Sequence, residues 1–240
     1  MTTLIVGASG ATGQLLVEQL LQRDQQVRAI VRSPQSMPSR LVESPRLTLI
    51  QANLLELSSD QLAGHLAGCD AVASCLGHRL SFGGIFGPPY RLVTEAVRRS
   101  CQAIKANAAP RPVKFVLMNT TGNRNRDQDV PRSVAEECVI GALRLLVPPH
   151  ADNEQAAEFL KTEIGPGDAA IEWAVVRPDA LTNDEQVTRY DLHPSPIRSA
   201  IFNAGKTSRV NVAHFMAELI TKQETWDDWK GQMPVIYNTE

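Results

Sequence analysis

Three glycines, Gly7, Gly10 and Gly13, recur at three-residue spacing between a short apolar run and a helical pattern. Leu4-Ile5-Val6 stops at Gly7. From Gln14 to Leu21 the apolar residues Leu15, Leu16, Leu20 and Leu21 return with helical period, so the spacing predicts strand, glycine turn and helix in that order. Such a turn lets backbone pass close to a pyrophosphate, and the following helix aims free N–H groups and its positive dipole end at the anion. Gly7-Ala8-Ser9-Gly10-Ala11-Thr12-Gly13 is therefore expected to hold a dinucleotide, the alternative being a tight structural turn.

The same alternation continues along the chain. Further strands are predicted over 26–31, 46–50, 70–76, 113–118 and 171–176, and helices over 60–66, 90–106 and 151–164. Strands apolar on both faces that alternate with helices imply βαβ units and a parallel sheet covered on both sides. The expected fold class is α/β, a doubly wound parallel sheet of Rossmann type. After Pro178 the alternation loosens: 179–207 is rich in Pro, Asn and Asp, with a strand expected near 187–192, a helix over 212–222 and a last strand over 235–237. No repeat or linker divides the chain, so residues 1–240 read as one domain, with about 179–240 forming a small substrate-side lobe.

Composition narrows the partners. With 24 Lys+Arg against 26 Asp+Glu the net charge is -2, which argues against nucleic acid or an anionic membrane as the main partner and for a small-molecule substrate. No apolar run reaches the length of a spanning helix. The N-terminus lacks a basic n-region and enters a core strand directly, so no signal peptide and a cytoplasmic location are expected. The four cysteines, Cys69, Cys75, Cys101 and Cys138, form no CxxC pair. No zinc site is therefore expected, and they read as small core hydrophobes. Oligomeric state is not legible.

The second strand ends in Ile30-Val31-Arg32-Ser33, with no acidic residue at its tip. An acid there holds the ribose 2′-OH of NAD, whereas a guanidinium accommodates the 2′-phosphate of NADP. Arg32 and Ser33 thus favour NADP, with NADPH preferred over NADH, unless Arg32 is simply a solvated loop residue.

Gly7 to Gly13, Val31-Arg32, Asp70 to Gly77, Phe115 to Gly122, Val176-Arg177-Pro178 and the late segment Ser208 to Ala213 together resemble the atypical short-chain dehydrogenase/reductases. The resemblance is to their NAD(P)H-binding, NmrA-like branch, which includes biliverdin reductase B (flavin reductase). It implies that Asn53 and Leu54 lie at the adenine, and that Cys75, Leu76 and Gly77 line the ribose and pyrophosphate. It also implies that Asn119 and Pro178 lie on the nicotinamide side. The family's catalytic Ser corresponds to Thr120. Its Tyr-x-x-x-Lys does not survive: Pro149 or His150 stands at the Tyr position and Asn153 at the Lys position, and none of Tyr90, Tyr190 and Tyr237 has a Lys four residues on.

Two functions fit this pattern. In the first, the protein is an NADPH-dependent oxidoreductase acting on a small planar or carbonyl acceptor, with Thr120 as the hydroxyl and His150 as an acid/base group. Aromatics of the loop 78–90 would cover the acceptor, and His78 stands where cofactor and substrate meet. In the second, the protein is a non-catalytic NADP(H)-binding redox sensor of NmrA-like type. Arg124 and Arg126, on the loop after Thr120, would attract an acidic substrate or phosphate, although Asp127 and Asp129 beside them favour a solvated loop. His65, His193 and His214 and the Trp226/Trp229 pair read as structural.

Overall fold

Successive residues of the central strands go to opposite faces of one sheet, as the two-residue period of a strand requires. In the computed structural model, which describes residues 1–78, Gly83 and 87–239, Leu4, Val6, Val72, Phe115, Leu117, Trp173 and Val175 build one core layer. Ile5, Ala71, Ala73, Val116, Ala174 and Val176 build the other. The parallel strands are β1 (Thr2–Val6), β2 (Gln26–Val31), β3 (Leu47–Gln51), β4 (Ala71–Ser74), β5 (Val113–Met118) and β6 (Ile171–Pro178).

Two strands from the C-terminal part complete the sheet. β10 (Val235–Asn238) runs parallel to β6, and β8 (Tyr190–His193) lies antiparallel outside it, giving the order β3-β2-β1-β4-β5-β6-β10-β8. A separate two-stranded pair is made by β7 (Ala180–Thr182) and β9 (Lys206–Ser208). The winding reverses between β1 and β4, so the crevice in which such folds bind ligands opens there.

Helices cover both faces. α1 (Ala11–Gln22), α7 (Arg209–Thr221) and α8 (Gln223–Trp229) lie over one layer. α3 (Ser59–Leu66), α4 (Leu92–Asn107) and α6 (Pro148–Phe159) lie over the other, while α2 (Ser39–Val42) is a single turn after β2. The Rossmann-type fold is thus observed. Much of the segment after Pro178 is built into the main sheet and its helical cover, because Val212, Phe215, Met216, Leu219 and Ile236 are buried beside α1.

Several boundaries differ from the sequence reading. α5 (Val134–Leu146) was not anticipated, although Ser133 and Glu136 form a capping box that announces it. α6 begins at Pro148, which is tolerated in a first helical turn, and its end widens into a π turn over Leu160–Ile164. The strand expected near 187–192 forms at Tyr190–His193. Cys69 and Cys101 are core residues, but Cys138 is exposed on α5 and does not fill the core. Among the described residues, no helix is long and apolar enough to cross a membrane.

The end of β6 carries a buried, heavily hydrogen-bonded side chain. Arg177 is fully buried and meets Asp129 through Nη1 at 2.5 Å and Nη2 at 3.0 Å. It also donates to the carbonyls of Met233 (2.6 Å), Asn123 (3.1 Å) and Pro194 (3.2 Å). A buried ion pair is costly to break from one side, since the remaining charge has no water to solvate it. Arg177→Met is therefore expected to lower unfolding free energy in urea by about 3–5 kcal/mol, and Arg177→Met/Asp129→Leu to recover much of that loss. Equal stability of the single and double variants would refute the pairing argument.

Candidate cofactor and substrate site

Because β1 to β6 are parallel, the residues that follow them emerge on one edge of the sheet. Gly7 follows β1, Arg32 and Ser33 follow β2, and Asn53 and Leu54 follow β3. Cys75 to Gly77 follow β4, Asn119 and Thr120 follow β5, and Pro178 ends β6. The topology thus brings the sequence-predicted residues to a single carboxyl edge.

The glycine turn is set by close backbone contact. Gly7 has φ +77°, and a Cβ on it would stand 2.6 Å from the Cys75 carbonyl carbon. A Cβ on Gly13 would stand 2.1 Å from the Gly7 oxygen. Only hydrogen fits at either position. Helix α1 then begins at Ala11 with no side-chain cap and no acidic residue in its first turn, which leaves its positive end open to an anion. Ala8 and Thr12 are buried while Ser9 and Gly10 are exposed, so the turn faces solvent through its centre. The Gln14 side-chain amide donates to the Ser9 carbonyl (3.1 Å) and the Ser36 carbonyl (3.2 Å), tying this turn to the loop after β2. Sequence reasoning missed that brace.

Around the turn, each predicted contact residue has its own setting. Arg32 is exposed, and no described residue pairs with its guanidinium. Ser33 donates through its hydroxyl to Gln35 (2.6 Å). Asn53 is exposed and caps the short turn after β3 by accepting from Leu55 N–H at 3.3 Å. The Leu54 side chain is buried in the core, so that residue offers only backbone to a ligand. Cys75 is half-buried, and burial pushes its thiol up to about 12.

On the other side of the crevice, Asn119 is buried and fully engaged. Its side-chain oxygen accepts from Thr120 N–H (2.9 Å), and its amide donates to the Asn153 carbonyl (2.8 Å). Thr120 Oγ1 accepts from Gly122 N–H at 3.2 Å, so its own hydroxyl proton remains to donate. His150 reaches the same place from α6. A Cβ on Gly122 would lie 3.1 Å from His150 Cε1 and 3.6 Å from Thr120 Cγ2, which puts Thr120 and His150 against one small gap. His150 Nε2 is 3.6 Å from Glu154, and Glu154 is gripped by Arg144 at 2.7 and 2.8 Å. Burial raises the Glu154 carboxyl, but His150 and Arg144 more than offset it and hold it at about 2.

A second group of polar residues lies behind this one. Asp152, 1% exposed, accepts from the backbone N–H groups of Val93 (2.8 Å) and Thr94 (2.9 Å), and lies 2.8 Å from His78 Nε2. It therefore caps α4 from α6 and fixes the position of His78. Its signal in the sequence was its place in the helix pattern: Asp152 shares the buried face of α6 with Ala156 and Ala157. The rest of the aromatic loop, Arg79, Leu80, Ser81, Phe82, Gly84, Ile85 and Phe86, lies outside the described residues, and Tyr90 is exposed. Arg126 is exposed, whereas Arg124 is partly buried and pairs with Glu137 at 3.3 Å.

The sequence from residue 7 to 223 matches the model of a family described as NAD(P)H-binding. The chain belongs to that family. No curated protein matches it significantly. Among solved structures, this NAD(P)H-binding protein resembles a short-chain dehydrogenase/reductase from Veillonella parvula in complex with NADP (17% identity, TM-score 0.71, covering 99% of this chain and 94% of that one). It is similar to a candidate NAD-dependent epimerase/dehydratase from Bacillus halodurans (22%, TM-score 0.72, 100% and 95%). It also resembles a candidate NADH-flavin reductase from Streptococcus pneumoniae (18%, TM-score 0.67, 100% of both chains). At these identities the likeness concerns the fold. A cavity of about 680 Å³ lined by Met1, Cys69, Arg111, Lys114 and Glu172 opens at the opposite, amino edge of the sheet, away from the glycine turn. Folds of this kind bind their cofactor at the carboxyl edge.

Two outcomes test the local geometry. Gly13→Ala must displace α1 or the Gly7 carbonyl. It is expected to cost about 1–3 kcal/mol in chemical denaturation and to weaken NADPH binding in a fluorescence titration. Parent-like behaviour in both would contradict the contact. The depressed Glu154 carboxyl contributes stability that is full above its ordinary pKa of 4.5 and is lost as pH falls toward about 2. Glu154→Gln should therefore lower stability at neutral pH by roughly 1 kcal/mol, with the gap to the parent closing near pH 2. A gap that is independent of pH would show that the charge is not responsible.

Proposed function

We propose that the protein is an NADPH-dependent reductase of a small planar or carbonyl acceptor, working without the Tyr-Lys dyad. The observation that carries this reading is the meeting of Thr120 and His150 at the end of β5, on the same sheet edge as the uncapped α1 and the exposed Arg32. The residues fit a 2′-phosphorylated dinucleotide. The α1 amides can take the pyrophosphate, and Arg32 with Ser33 can take the extra phosphate by charge-assisted hydrogen bonds. NADPH supplies a hydride when bound.

The chain supplies the rest. Thr120 is oriented by Asn119 and Gly122 so that its hydroxyl can donate to an acceptor oxygen or nitrogen. His150, its side chain 13% exposed, stands beside it within reach of solvent, with Nε2 3.6 Å from Glu154, where an imidazole can relay a proton. Asn119 holds α6, and with it His150, at the end of β5, and Asp152 ties α6 to α4. Acceleration then comes from position more than from a strong acid, which suits acceptors that need little proton assistance.

Steady-state NADPH oxidation with FMN, dichlorophenolindophenol and biliverdin tests this. Acceptor-dependent oxidation is expected, and His150→Ala and Thr120→Val are each expected to lower kcat by roughly 10- to 100-fold. Tight NADPH binding with no oxidation by any acceptor would favour the alternative, a non-catalytic NADP(H) sensor. Arg32→Ala is expected to weaken NADPH binding about tenfold or more while NADH binding stays nearly unchanged. An equal loss for both would remove the 2′-phosphate role.

A further inference from the structure

A cavity of about 190 Å³ adjoins the loop after β5, lined among others by Thr121, Arg124, Arg132, Glu136, Ile197 and Arg198. Its volume is below that of a site for a whole drug-sized ligand, so it suits one end of a molecule whose remainder lies elsewhere. Thr121 directly follows Thr120, and Arg132 Nη2 donates to the carbonyls of Thr121 (3.3 Å) and Gly122 (2.8 Å). The cavity therefore adjoins the chain segment that carries Thr120, and its Arg132 holds the carbonyl of Gly122, the residue facing His150.

Most of the carboxylates around it are engaged by other groups. Asp129 is taken by Arg177, and Asp127 by Lys161 at 2.7 Å. Glu137 is taken by Arg124, and Glu154 by Arg144. Glu136 accepts from the Ser199 hydroxyl and from Ser133 N–H (3.3 Å). Arg198 also lines the wall, interacting with Asp179, which accepts from the Thr121 hydroxyl at 3.0 Å. No described carboxylate pairs with Arg132. Arg132 Nη1 and Arg124 Nε are buried with no hydrogen-bond partner, so this wall is short of acceptors. Burial, ahead of the opposing pull of Glu137 and Glu154, lowers the Arg132 pKa, and the neighbouring Arg124 and Arg144 push the same way. Exposed Val130 and Ile197 give the rim an apolar character.

We propose that this cavity binds the carboxylate of the acceptor, with Arg132 as the principal anchor and Arg124 as the second, so that the substrates are carboxylate-bearing planar or carbonyl compounds with an apolar body. The assignment to a substrate rests on the reductase reading above; the anion site itself does not. A carboxylate would supply the acceptors that the guanidinium pair lacks, in the fork geometry Arg favours. The apolar rim would carry the body of the compound toward Thr120.

The test uses benzoate and its uncharged isostere benzamide, titrated into the full chain at low ionic strength with binding read by ligand-observed NMR. Benzoate is expected to bind at least about tenfold more tightly than benzamide, the scale of a charge-assisted hydrogen bond. That preference should fall in Arg132→Lys, which keeps the charge but loses the fork, or in Arg124→Gln, which leaves the Thr121 and Gly122 carbonyls held. Loss in either variant, with an unchanged circular dichroism spectrum, supports the site. Equal binding of the two probes by the parent, absence of benzoate binding, or a preference that survives in both variants would overturn it. Benzoate selectivity in a protein that fails to oxidise NADPH would retain the anion site and reject the reductase reading instead.

Discussion

The geometry of the functional edge depends on how closely the chain packs where β1 leaves the sheet. Gly7 presses on the Cys75 peptide, and Gly13 sits on the Gly7 carbonyl, leaving no room for a Cβ at either place. That contact fixes the start of α1 against the ends of β1 and β4, which is where the strand order reverses. An uncapped helix end is an electrostatic liability unless something negative approaches it. Here the surrounding structure is arranged to accept such a partner. Gln14 braces the turn against the loop after β2, and Arg32 extends from that loop with no counter-ion among the described residues.

On the opposite side of the crevice, hydrogen bonds run from helix α6 to strand β5 and to α4. Asn153 takes the Asn119 amide through its backbone carbonyl. Asp152, one residue earlier, caps α4 and fixes His78. Helix α6 is anchored by main-chain and capping bonds, and it presents His150 to Thr120. The buried Arg177–Asp129 pair acts on the same region, because Arg177 also holds the carbonyls of Asn123 and Pro194. It removes Asp129 from the arginine-rich wall beside Thr121, and so leaves that wall with more donors than acceptors.

The fold was legible because its cause is local and periodic. Both-face apolar strands such as Ile5-Val6 and Val175-Val176 bury only in a sheet covered on two sides, and the helices between them can reach only its faces. The glycine spacing marked the turn for an equally local reason: positions without room for a Cβ select glycine. Helix α5 went unread even though its capping box lay in plain sequence. Val134, Val139 and Leu146 are exposed, so its apolar residues do not form the single buried stripe that periodicity detects.

The sequence by itself determined the strand–turn–helix unit, the order of the βαβ repeats, the basic residue at the tip of β2, and the absence of Tyr-x-x-x-Lys. Each of these is a matter of residue type and short spacing along the chain. Only the tertiary structure decided that His150 stands beside Thr120, that Asp152 belongs to His78 and α4, and that Asp129 answers Arg177 rather than Arg124 or Arg126. Those pairings join residues 30 to 74 positions apart, or hinge on which of several nearby charges is buried with which. Burial and partner choice arise when layers pack, and no periodicity along the chain encodes them.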